Sequence, residues 1–152
     1  MSSLRLLTAA CCLALTSGCG SDPEPAVPCP EASGEFPPTH CAYVQGRLTA
    51  SGVPVTGVAL RVDQFVPTLG YAYASDAAAT DALGRFDLVV FRINQFSPPT
   101  NDPDTARVFL KVFSSREAAR PGAIADDSLS VLMTFAPMGA PVDTTLAELS
   151  LP

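Results

Sequence analysis

Beyond Cys41 the apolar side chains recur at every second position in short runs, and clusters of Gly, Pro, Asp and Asn separate one run from the next. A period of two is the repeat of a pleated strand with one buried face, and it is incompatible with a helix. Seven such runs are readable. The first, 42–49, presents Val44, Gly46 and Leu48 on one side; the second, 57–64, presents Val58, Leu60 and Val62 with Arg61 and Asp63 opposite. The turn residues at 50–54 between them predict an antiparallel pair of neighbours. A third run at 70–75 continues into 77–80, and the others cover 85–93, 106–114, 129–135 and 144–149. Ahead of the fourth run, Asp81 is placed to bond forward to the turn backbone and Gly84 to take a positive φ. Segment 115–123 has room for one helical turn, which Pro121 and Gly122 end. Seven short strands whose apolar faces must hide one another predict an all-β fold, a seven-stranded Greek-key sandwich of two layers over 41–152.

Upstream the composition changes. Between residues 20 and 38 stand Pro23, Pro25, Pro28, Pro30, Pro37 and Pro38, among Glu, Ser, Ala and Gly. Each proline removes a backbone donor and fixes a dihedral, so 19–40 reads as a disordered, semi-rigid tether. Residues 1–18 read as a signal sequence: Arg5 gives a positive start, 6–15 is apolar, and Thr16, Ser17 and Gly18 are small. That apolar stretch is shorter than the ~20 residues a bilayer-spanning helix needs.

The run Leu15-Thr16-Ser17-Gly18-Cys19 resembles the lipobox of bacterial lipoproteins, with Thr16 where that family prefers Leu. The resemblance implies that the Cys19 thiol accepts diacylglycerol before cleavage and becomes a membrane anchor. Gly20, rather than Asp, then implies sorting to the outer membrane of a Gram-negative cell envelope. The competing reading is an ordinary secretory signal that leaves Cys19 as a free thiol. Cys11 and Cys12 leave with the leader and Cys19 is consumed by lipid, so Cys29 and Cys41 remain as a pair. An even remainder in an oxidising compartment predicts a disulfide, against the alternative of two thiols serving a metal or a reaction.

Nine basic residues against fifteen acidic ones give a net charge of -6, and loss of Arg5 with the leader makes it -7. Neutralising phosphates takes clustered Lys and Arg, so nucleic acid is not an expected partner. His40 is the chain's single histidine, which excludes zinc or iron sites built on several imidazoles. It reads as a solvated loop residue. No Gly-x-Ser-x-Gly elbow is present for a serine hydrolase, and no catalytic residue, metal or cofactor is predicted. The loop 101–104, with Asp76 and Asp81, offers oxygen ligands to calcium but lacks the spacing of a loop cage, and ordinary turn chemistry accounts for it.

Two segments carry a further resemblance. Residues 44–62, Val-Gln-Gly-Arg-Leu-Thr-Ala-Ser-Gly-Val-Pro-Val-Thr-Gly-Val-Ala-Leu-Arg-Val, look like the start of carboxypeptidase regulatory-like domains. Residues 79–88, with Thr80-Asp81 leading through Gly84 to Phe86, are similar to that family's second hallmark. The segment 65–76 between them is longer than the family usually has. The resemblance covers about half of the domain and implies a transthyretin-like sandwich that binds or supports without chemistry of its own. Its partner would be an envelope protein, or in the alternative a polysaccharide, although the absence of Trp counts against a glycan site. Alternation in the fourth and fifth runs turns Phe91, Phe109 and Phe113 outward, predicting an aromatic patch shared by adjacent strands unless 65–73 or 95–103 covers it.

Overall fold

A computed structural model describes residues 27–30, 38–94 and 103–152. The predicted leader, Cys19 and most of the tether lie outside them. Among the described residues, every regular element but one short 3-10 turn at Pro67–Leu69 is a strand. In chain order these are β1 (Val27–Pro28), β2 (Pro38–Ala50), β3 (Val53–Pro54), β4 (Ala59–Val66), β5 (Tyr71–Ser75), β6 (Ala78–Ala79), β7 (Arg85–Asn94), β8 (Asp104–Phe113), β9 (Asp127–Pro137), β10 (Pro141–Val142) and β11 (Thr144–Leu151). All seven predicted runs are strands. Segment 115–125 is a series of turns with no helical turn, closed by N–H donation from Ala119 to the Arg116 carbonyl and from Ala123 to that of Arg120.

The sheet closes on itself. Its order runs β2, β7, β5, β4, β8, β9 and back to β2, a ring of six strands with β11 alongside. Closure depends on the length of β2, whose thirteen residues pair on one edge with β7 and share the other between two partners. His40 and Cys41 pair with β9, and Tyr43 to Ala50 run parallel to β11. The described strands thus form a closed six-strand barrel.

Inside the ring, alternate residues of each strand bury Val44, Leu48, Leu60, Val62, Phe86, Leu88, Val90, Val108, Leu110, Met133 and Phe135. Each buried side chain of this size contributes about 1.5–3 kcal/mol, which makes this row the main source of stability. Tyr73 joins it, its ring 5.1 Å from that of Phe135, and burial raises the pKa of its hydroxyl.

Two expectations are corrected here. The first two runs are not neighbours: after the turn at Ser51 and Gly52 the chain returns along β2 only as the two-residue β3, and β7 and β5 stand between β2 and β4. Pro54 lacks the N–H that a longer hairpin would use, and Gly57 at φ 72° carries the chain away. His40 is no solvated loop residue. It is 2% exposed, because β2 begins at Pro38 and places it where β2 exchanges one partner for another, with its Nδ1 3.0 Å from Thr39 Oγ1.

Candidate functional site

The predicted disulfide is present. Cys29 and Cys41 are bonded, with their Cα atoms 5.8 Å apart. Cys41 sits in β2 at the ring closure, and Cys29 follows β1, which pairs with β10. Ala136, Val142, Tyr43, Val89 and Phe91 surround the two sulfurs.

That placement removes Phe91 from the predicted aromatic patch. β7 and β8 are separated by β5 and β4, so Phe91 and Phe109 lie on different parts of the barrel. Phe113 is only 1% exposed, packed against Ala59 and Ala119 with the Arg61 guanidinium 5.2 Å from its ring centroid. Arg61 also donates to the Ala119 carbonyl at 2.6 Å, so the 115–125 turns cover the end of β8. Of the three phenylalanines only Phe109 faces solvent freely, at 45% exposure. Its apolar companions on the outer face are Phe65 and Leu132, at 57% and 56%. The 65–73 segment does not fold over a face as the sequence suggested; it forms the end of β4, the 3-10 turn and the start of β5.

A second surface was not anticipated, and it begins with a register slip. Asp63 pairs with Ala74, but Leu60 pairs with Ala78. Two residues of β4 therefore face three of the opposing strand, the arrangement of a β-bulge, and the Val62 N–H fills the break by donating to Ser75 Oγ at 2.8 Å. A bulge bends its strand. The pairing of β5 with β7 ends at Ser75 and Val90, and beyond it β6 stays with β4, leaving the edge of β7 from Arg85 to Val89 without a strand partner among the described residues.

A groove of about 1130 Å³ opens along that edge. It is lined by Gln45, Arg47, Asp87 and Leu146 together with residues 76–79 and Arg116. Alternation along an antiparallel strand decides where the β7 backbone points. Leu48 donates its N–H to the Gly84 carbonyl, which places the even-numbered β7 groups toward β2. Arg85, by contrast, bonds away from β2, accepting from the Asp81 N–H at 2.9 Å and donating to Asp81 Oδ1 at 2.8 Å. The N–H and C=O groups of Asp87 and Val89 likewise point away from β2.

Asp81 closes one end of the groove. Its Oδ1 accepts the N–H groups of Arg85 and Leu83, both at 2.8 Å, while Gly84 takes φ 73°, as the sequence predicted. Those two bonds, that of Arg85 foremost, hold the carboxyl pKa below its ordinary value. A carboxyl with a depressed folded pKa adds stability at neutral pH and loses it as pH falls through that folded value. Thermal melts of the wild type and Asp81→Ala should therefore differ at pH 7 and differ less at a pH below the ordinary Asp value of about 4. An unchanged gap at both values would show that the charge of the carboxyl is irrelevant to the turn.

Asp81 is engaged by the backbone, Asp104 pairs with Arg92, and Asn101 and Asp102 lie outside the described residues. Among the described residues no group of three His, Cys, Asp or Glu side chains is placed to hold a metal, and no helix is long and apolar enough to cross a membrane. No family model, curated protein or solved structure matches the chain.

Proposed function

We propose that this chain is a lipid-anchored protein of the cell envelope, held through Cys19, which displays a non-catalytic β module for protein binding or a structural role. The observation that carries the reading is the Cys29–Cys41 bond. It accounts for both cysteines that remain once the leader and the lipidated residue are set aside, which fits an exported chain in an oxidising compartment. It also fixes the end of the proline-rich spacer to β2, so an anchor at Cys19 would hold the barrel at a short distance from the bilayer.

The finer assignment, a transthyretin-like Greek-key sandwich of the carboxypeptidase regulatory kind, is part of the same proposal. Supporting it are the two sequence segments and the order of the first four main strands, in which the first lies beside the fourth and the fourth, third and second follow as neighbours. The outer-membrane location rests on Gly20 and the lipobox resemblance.

The test is Cys19→Ala in the full chain, expressed in a bacterial host and labelled with palmitate. Several acyl chains on one residue make attachment effectively lasting. The variant should therefore lose all label and move from the membrane to the soluble fraction. Label retained by the variant, or a wild type that takes none, would overturn the anchor.

A further inference from the structure

We propose that the barrel stands on the bilayer that holds Cys19, with the turn between β4 and β5 set into the lipid interface through Phe65 and Leu69. This rests on the anchored-display reading and deepens it by naming what the barrel itself touches. Strand direction decides which features share an end of the ring. Pro38 at the start of β2 stands opposite Ile93, Asn94 at the end of β7 opposite Tyr71, and Val66 at the end of β4 opposite Tyr71 as well. Asp104 at the start of β8 pairs with Phe135, and Pro137 at the end of β9 with His40. β1 and β10 belong to the same end, since Cys29 donates its N–H to the Ala140 carbonyl and Met138 to that of Thr39.

The chain that carries the lipid therefore joins the barrel at this end. Residues 19–26 can span at most about 29 Å even when fully extended. A ten-residue strand such as β7 is itself ~33 Å long. The bilayer surface thus stays within one strand length of this end.

Surface chemistry separates the two ends. Among the described residues, the charges at the near end are Arg92, Asp104 and Asp143; the first two are paired, and the Arg92 guanidinium lies 4.4 Å from the Tyr71 ring centroid. Phe65 and Leu69 are each 57% exposed, on either side of the exposed Pro67. At the far end Asp81, Arg85, Arg116, Glu117, Arg120 and Asp126 are all exposed, and Ile124 stands among them. Taking those charges into an interface forfeits their hydration, whereas the near end gives up mainly apolar contact with water. A net charge of -6 leaves no attraction to anionic headgroups to explain the contact, so it is apolar and indifferent to salt.

Two side chains on one tight turn are too small a surface to hold a protein partner. With the acyl chains already fixing the chain to the membrane, the effective concentration of lipid makes the same weak contact sufficient to orient the barrel.

The experiment uses the full-length, acylated protein in phosphatidylcholine vesicles that contain nitroxide-labelled lipid, with palmitate incorporation measured in parallel. Cys29 and Cys41 are bonded to one another and Cys19 carries the lipid, so the thiol introduced by Leu69→Cys takes a polarity-sensitive fluorophore alone. Ile124→Cys puts the same label at the far end. The label at position 69 should shift to the blue and be quenched, the label at 124 should do neither, and added salt should change neither result. Adding Phe65→Ser should move the ratio of inserted to free turn by about tenfold toward free. Both positions are exposed, and a thermal melt confirms that the variants fold. The proposal is overturned by an unquenched label at 69, by equal quenching at both positions, by quenching that salt abolishes, or by quenching that Phe65→Ser leaves intact. A label at 69 that is shielded in cells but unquenched in vesicles would also overturn it, assigning the turn to a protein. Palmitate on Cys19 without quenching removes the lipid contact and leaves the anchor, whereas quenching at 69 without palmitate removes the anchor and leaves the contact.

Discussion

Replacing Gly46 with alanine is expected to destabilise the barrel by roughly 3 kcal/mol, at the upper end of what one added methyl group does in a filled interior. Gly46 lies midway along β2, between the buried Val44 and Leu48. A Cβ there would sit 2.4 Å from the carbonyl oxygen of Ala147 and 2.5 Å from Cζ of Phe86. The Phe86 ring can shift, but only by displacing other core side chains. The Ala147 oxygen belongs to β11, which runs parallel to β2 from Thr144 to Leu151, so moving it disturbs the register of β11 on β2.

Denaturant unfolding should show the midpoint falling with the slope unchanged, and a thermal melt should drop by about 10 °C. Gly52→Ala is the control. Gly52 has φ 79° and open space around it, so its cost of about 1 kcal/mol comes from backbone conformation alone. A Gly46→Ala protein no less stable than the Gly52→Ala protein would mean that β2, β11 and Phe86 do not approach this closely. Phe86→Leu in the Gly46→Ala background should recover part of the loss, because the two positions share one space.

Gly46 also marks how far the sequence could be read. Its place in the inward row between Val44 and Leu48 was visible, as were all seven runs and the turn in which Asp81 and Gly84 play the predicted parts. Local patterns encode these features, since side-chain alternation and turn chemistry act over a few residues. Pairing between distant strands leaves no such mark. Nothing in 42–49 or 57–64 says that β2 turns to β7 and β11 instead of β4, and the two-residue β3 satisfies the same turn signal as a full hairpin would.

The predicted aromatic patch failed for the same reason. Phe91, Phe109 and Phe113 were assigned to one face by alternation, and alternation fixes the side of a strand but not its neighbours. Phe113 lies at the last position of β8, where the 115–125 turns and Arg61 cover it. The groove was equally illegible, because it depends on one extra residue at 75–77. A single-residue slip is a matter of register, which a period-two pattern in one strand does not specify.

Loss of the Cys29–Cys41 bond is the second large effect expected, and its size depends on what remains to hold β1. A loop closed by cysteines twelve residues apart stabilises the folded chain by roughly 3 kcal/mol in the chain-entropy view. That figure applies in full only if both ends stay in place without the bond. Cys41 does, being fully buried in β2 and paired on both sides, with Phe91 and with Ala136. Cys29 is held otherwise by its N–H donation to the Ala140 carbonyl at 3.2 Å and the two-residue ladder of β1 with β10, together with a bond from the Tyr43 hydroxyl to the Pro28 carbonyl at 3.3 Å. These are too few to immobilise a proline-rich segment, since ordering each residue costs about 1–2 kcal/mol of backbone entropy. In the Cys29→Ala, Cys41→Ala double variant, residues 27–30 should therefore leave the barrel before it unfolds, and a protease should cut ahead of Pro38 under conditions that spare the wild type. Global stability should fall by about 2–3 kcal/mol, as the cover over Ala136 and Val142 is lost with them. Undiminished protection of residues 27–30 in the double variant would show that the ladder, not the bond, joins the spacer to the fold.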